Sequence, residues 1–143
     1  MTISRYRLEQ LLASYTPRLY QEQSGRQSAV LVPIIEADDG SFDLLLTKRT
    51  DRVEHHKGQI SFPGGAADPQ DESLTATALR EAFEEIGLPE DAVRVLGVLD
   101  QVWTPSGFLI TPIVGIIDSP MPLLAPSPAE VEEILIVPLE HFF

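Results

Sequence analysis

Arg80-Glu81-Ala82-Phe83-Glu84-Glu85-Ile86-Gly87-Leu88 is the stretch of this sequence on which the fold turns. Leu79, Ala82, Phe83 and Ile86 stand at i, i+3, i+4 and i+7, which predicts a helix with those four side chains against a sheet. Thr77, Glu81, Glu84 and Glu85 then fall on the opposite side. Ser73 is placed to cap the start, Gly87 occupies the left-handed position after the last turn, and Pro89 blocks continuation. The helix is therefore expected over residues 73–86.

Three carboxylates on one helical patch repel one another, by about 0.2–0.5 kcal/mol per pair. They also lie in the C-terminal half, where the helix dipole disfavours negative charge. A divalent cation reverses both penalties. Oxygen-only donors on a rigid helix suit Mg²⁺ or Mn²⁺, which keep part of their coordination for water and phosphate. Taken alone, the same three residues also read as an ordinary solvated acidic face.

Outward from the helix, Pro63-Gly64-Gly65 stops a short apolar segment at residues 59–62, and residues 66–72 form an Asp- and Pro-rich loop. Residues 28–35 and 42–47 read as two strands joined by the turn Asp38-Asp39-Gly40, with Pro33 predicting an edge or a bulge. Residues 93–102 and 108–117 read as two more strands around the turn Thr104-Pro105-Ser106-Gly107, and Trp103 as a buried residue at a strand end. Pro120, Pro122, Pro126 and Pro128 mark a surface loop before a last strand at 134–137. An amphipathic helix carrying Leu8, Leu11, Leu12 and Tyr15 spans residues 4–15 and ends before Pro17. The expected class is α+β, an α/β/α sandwich with a mixed sheet between helices, formed as one domain over residues 1–143.

The bulk numbers narrow the functional classes. A net charge of −12 argues against a general nucleic-acid binder, which needs a basic stripe to displace counterions. No segment approaches a membrane span and the N-terminus lacks a signal-peptide pattern, so no membrane partner and a cytoplasmic location are expected. The absence of cysteine excludes disulfides, thiolate metal sites and a cysteine nucleophile. Against this acidic background, Lys48, Arg49, Arg52 and Lys57 crowd four of the ten basic residues into the window 48–58. Such a window is either a solvated loop or an anion-binding rim. The adjacent His55 and His56 would point apart in an extended loop, which disfavours a metal shared between them.

The run from Gly65 through Leu88 resembles the signature of the Nudix hydrolases: Arg-Glu, two residues, Glu-Glu, one residue, Gly and an aliphatic. Glu72 stands eight positions before Arg80, as that signature has it, and the loop from Gly65 to Glu72 is one residue longer than usual. The resemblance implies a Nudix fold and a pyrophosphohydrolase activity. It makes Glu81, Glu84 and Glu85 the ligands of Mg²⁺ or Mn²⁺, with Arg80 orienting a carboxylate and Glu72 in a supporting role. Glu81 or Glu84 would take the proton of the attacking water, with Glu130, Glu132 and Glu133 as further candidates.

A second resemblance concerns substrate. Leu45-Leu46-Thr47-Lys48-Arg49-Thr50, Gly58 and Phe62-Pro63-Gly64-Gly65 are similar to the extra motif of the coenzyme A pyrophosphatase branch. Ser106-Gly107, Glu130-Val131 and Val137-Pro138-Leu139 are similar to its later parts. This implies cleavage of coenzyme A into 3′,5′-ADP and 4′-phosphopantetheine. Substrate contacts would come from Arg49, Arg52, His56, Lys57, Gly64 and Gly65. Thr50 replaces a branch serine, and Glu54 stands where the branch has arginine. That charge reversal keeps open another nucleoside diphosphate derivative, ADP-ribose or a dinucleoside polyphosphate, and a non-catalytic nucleotide-binding module is a further alternative. Branch members continue into a C-terminal helix, whereas this sequence stops at Phe142-Phe143. A truncated chain, or a partner in a homodimer, would account for two terminal aromatics.

Overall fold

The computed structural model describes residues 3–20, 25–51, 58–118 and 120–142. Helix α1 covers Arg5–Ser14, with the Ser4 hydroxyl accepting from Arg7 N. It ends three residues before Pro17 because Tyr15 is already extended. Strands β1 (Arg26–Glu36), β2 (Phe42–Arg49), β3 (Ile60–Ser61) and β4 (Gly64–Ala66) precede helix α2 (Leu74–Ile86). Strands β5 (Val93–Val98), β6 (Val102–Trp103), β7 (Phe108–Ile117) and β8 (Val131–Pro138) follow it, and a single 3-10 turn at Leu139–Phe142 closes the described chain.

The strands form one mixed sheet in the order β3-β2-β1-β7-β5, with β4 on β1, β6 on β7 and β8 on β2. Its spine is the parallel pairing of β1 and β7 from Arg26↔Phe108 to Ile35↔Ile117. Strand alternation sends Leu31, Leu45 and Ile113 to one face, where Ala78, Ala82 and Ile86 of α2 cover them. Ile34, Leu44 and Ile116 go to the other face, beneath Leu8 and Leu12 of α1. The sheet is thus the middle layer of an α/β/α arrangement.

Pro33 overturns the expectation of an edge or bulge: it is fully buried in the central strand. Leu31 N donates to Pro63 O at 2.8 Å, and alternation turns the Pro33 nitrogen to that same side. There β4 pairs β1 only as far as Val30, and β2 takes over at Ile34. The one nitrogen that cannot donate falls in the gap between two partners. The strand expected over 93–102 is two: β5 pairs β7 with a register shift between Val95 and Gly97, and β6 pairs β7 separately. The last strand is longer than 134–137 because Asp43–Arg49 of β2 offers it a partner throughout. Trp103 is half-buried rather than buried, with Tyr20 edge-on at 6.0 Å between ring centroids.

Helix α2 has the predicted ends. Ser73 Oγ accepts from Ala76 N, and Gly87 takes φ 70°. Its buried stripe is rotated from the expected one. Ala78, Ala82, Glu85 and Ile86 are buried and Thr77 is fully enclosed, while Phe83 is 57% exposed. Two alanines let the helix settle close to the sheet, leaving no space for a phenyl ring on that line. Phe83 is displaced outward and Glu85 inward.

Candidate active site

The inward turn of Glu85 builds the site. Antiparallel pairing of β4 with β1 (Ala29↔Gly65, Val30↔Gly64) lays the Gly64-Gly65 turn along the flank of α2. Glu85 Oε2 accepts from Gly64 N at 2.8 Å. Both glycines are required by close approach. A Cβ on Gly64 would lie 2.4 Å from Ala29 O and 2.6 Å from Val30 Cα. On Gly65 it would lie 2.6 Å from Cδ of Glu81 and 2.8 Å from both carboxylate oxygens. Glu81 therefore rests directly on the Gly65 backbone.

Arg80 is the hub of the acidic face. Its Nη1 donates to Glu81 Oε1 at 3.1 Å and to Glu84 Oε1 and Oε2 at 3.2 and 3.1 Å. On its other side, Nε and Nη2 donate to the two oxygens of Asp71 at 2.9 and 3.0 Å, and Nη2 also reaches Ala66 O at 3.2 Å. The supporting carboxylate is thus Asp71, and the exposed Glu72 makes none of these contacts. Signature spacing concealed this, because it points to the position eight before Arg80. The loop one residue longer brings the ninth instead.

The other wall comes from the chain between α2 and β8. Ser127 N donates to Glu85 O at 2.8 Å and Ala125 N to Ile86 O at 2.8 Å, which satisfies carbonyls at the helix end. Four residues past Ser127, Val131 pairs with Arg49 at the end of β2. Thr50 N donates to Glu130 O and Thr50 Oγ1 to Ala129 O, each at 3.1 Å. Residues 127–131 therefore join the carboxylate helix to the start of the basic window, with the Thr50 hydroxyl as one of the links. Arg49 lies close enough for its charge to act on Glu85, and Glu130 close enough to act on both Glu81 and Glu85. Glu132 instead pairs with Lys48 at 3.3 Å. Arg52, Glu54, His55, His56 and Lys57 lie outside the described residues.

Burial, above all, pushes the Glu85 carboxyl up to about 8; the charges of Glu81 and Glu130 add to this, while the Gly64 N–H and Arg49 oppose it. Glu81 is raised too, again chiefly by burial, against the pull of Arg80. Asp71 is held far below the ordinary carboxylate range by the Arg80 guanidinium, the Asp68 N–H and the Thr77 hydroxyl. Among the described residues no three acidic or histidine side chains yet converge as around a bound ion, Glu84 being turned toward Arg80. The donor chemistry nevertheless fits a hard divalent cation. Three carboxylates share one helix, and in Glu81 and Glu85 burial penalises the charged form, a penalty that such an ion relieves.

A pH signature follows. Between the ordinary glutamate range and about 8, folded metal-free protein holds a proton on Glu85 that the unfolded chain has lost, so stability falls as pH rises through this window. The melting temperature of the metal-free protein is expected to drop from pH 5 to pH 8, and added Mg²⁺ to raise it more at pH 8 than at pH 5. A melting temperature that is flat or rising over that window would contradict the assignment of Glu85.

A family model described as the NUDIX domain matches residues 25–142. The chain is 47% identical over 118 residues to a Photorhabdus laumondii protein named an uncharacterized Nudix hydrolase NudL, covering 82% of this chain and 62% of that relative. It therefore spans less than two thirds of the relative's length. Among solved structures, the Nudix hydrolase RenU of M. smegmatis superposes with a TM-score of 0.67 at 22% identity, covering 81% of this chain and 72% of that one. A C. elegans Ap4A hydrolase binary complex gives 0.66 at 18% identity, covering 82% of each chain. The NUDIX domain of Shewanella oneidensis NrtR, complexed with ADP ribose, gives 0.60 at 21% identity, covering 93% and 84%. At these identities the structural likeness establishes the fold alone.

Proposed function

The chain belongs to the NUDIX domain family, and from that premise we propose that it is a divalent-metal-dependent pyrophosphohydrolase acting on coenzyme A or its derivatives. The products are 3′,5′-ADP and 4′-phosphopantetheine. One juxtaposition supports this reading most strongly: Glu85 of α2 lies within electrostatic reach of Arg49, whose buried Nε has no hydrogen-bond partner among the described residues. A buried guanidinium donor left without an acceptor calls for one, and a phosphate oxygen supplies it with charge assistance. Arg49 stands beside Lys48 at the start of the basic window, so a phosphate bound by its Nε would lie within electrostatic reach of the acidic helix.

Glu81, Glu84 and Glu85 would hold Mg²⁺ or Mn²⁺. When bound, the ion neutralises pyrophosphate oxygens and eases ionisation of the attacking water. The remaining work belongs to the chain. The Gly64 N–H fixes Glu85, and Gly65 gives Glu81 room. Arg80 orients Glu81 and Glu84, one of which accepts the proton of the water as it attacks phosphorus in line. Arg49 grips the phosphate on the far side.

Product analysis tests the reading. Coenzyme A, ADP-ribose and diadenosine tetraphosphate are each incubated with the protein and Mg²⁺ or Mn²⁺. Preferred release of 3′,5′-ADP from coenzyme A is expected. Turnover of another compound with coenzyme A untouched would overturn the substrate and leave the hydrolase. No turnover of any would favour a nucleotide-binding module.

A further inference from the structure

We infer that Asp71, and not Glu72, is the positioning residue that sets Arg80 and through it the metal-holding carboxylates. This rests on the metal-dependent reading of the site above. The guanidinium is gripped from behind at two atoms, Nε and Nη2, by the two oxygens of Asp71. Such a two-point contact fixes its plane, which a single bond would not. Asp71 is itself immobilised: its Oδ2 accepts from the fully buried Thr77 hydroxyl at 2.7 Å and from Asp68 N at 2.9 Å. The grip therefore runs from the helix interior through Asp71 to Arg80.

The consequence for the acidic face is restraint as much as aim. With Nε and Nη2 engaged behind, Arg80 has only Nη1 to share between Glu81 and Glu84. Released from Asp71, the guanidinium can turn and present its fork to Glu84, where it competes with a cation for the same oxygens. Asp71 thus keeps a fixed positive charge close enough to organise the carboxylates and prevents it from occupying them.

The test measures Mn²⁺ alone binding to the full chain, by the electron paramagnetic resonance signal of the free ion, together with kcat and KM. Asp71→Asn is expected to weaken Mn²⁺ binding about tenfold and to lower kcat by roughly 10–100-fold with little change in KM, the usual scale for a partner that orients metal ligands. Glu72→Gln should stay within about twofold of wild type. In an Arg80→Ala background, Asp71→Asn should add no further loss of Mn²⁺ affinity, because it acts through the missing guanidinium. Thr77→Val removes only the hydroxyl that holds Asp71, and should weaken Mn²⁺ binding in the same direction by a few-fold. It decides the matter if Asp71→Asn does not fold. Wild-type affinity in both variants, a larger effect from Glu72→Gln, or additive losses in the double variant would overturn the inference. Failure of the wild-type chain itself to bind Mn²⁺ would overturn the metal reading and this inference with it.

Discussion

Replacement of Glu85 by glutamine is expected to lower hydrolysis about a thousandfold and, at the same time, to make the metal-free protein harder to unfold at pH 8. Both effects come from one buried carboxylate. Metal catalysis of phosphoryl transfer is worth several kcal/mol, and at about 1.36 kcal/mol per decade the loss of a ligand reaches this scale. For stability, the Glu85 carboxyl is raised from the ordinary range to about 8. At pH 8 its ionisation costs the fold on the order of 3–4 kcal/mol. Glutamine keeps an oxygen for the Gly64 N–H and carries no charge. Urea unfolding in a chelator, beside turnover in Mg²⁺, measures the two quantities. A variant that loses activity and stability together would show Glu85 to be a structural anchor rather than a strained site residue.

Gly64→Ala and Gly65→Ala are expected to fail in different ways, although they differ by one position. The new methyl at 64 meets the Ala29 carbonyl and the Val30 Cα, both backbone atoms of the central strand that cannot step aside. Overpacking there should cost about 3 kcal/mol, roughly a 10 °C fall in melting temperature. The three atoms nearest the methyl at 65 all belong to the far end of the Glu81 side chain, which can swing away. That variant should melt near wild type yet lose about a hundredfold in kcat, because Glu81 is evicted from its seat. Thermal melts and turnover on the two proteins separate the outcomes; equal destabilisation would show that the Glu81 carboxylate is not free to move.

The helix carrying Glu81, Glu84 and Glu85 was legible in full, down to the Ser73 cap and Gly87, because periodicity and end signals are local. The rotation of that helix was not. Which of Phe83 and Glu85 turns inward depends on how closely Ala78 and Ala82 approach the sheet, a tertiary quantity with no trace in the spacing. Pro33 misled for a similar reason: its meaning depends on where two other strands end, far away in the chain. Within the site, Arg80 and the two glycines stood out from the motif, whereas Asp71 was hidden by a near neighbour of the same charge. Glu130 was one of several surface carboxylates until Thr50 and Ser127 brought its segment to the helix.

That short segment also acts as a ruler. Residue 127 is pinned to the end of the acidic helix, and residues 129 and 130 to the first residue after β2, so the span of backbone between them sets how far apart those two elements stand. The separation of the acidic helix from the end of β2 is then recorded in a count of residues rather than in any one side chain. Lengthening this span by a residue would widen the gauge without touching a single charged group.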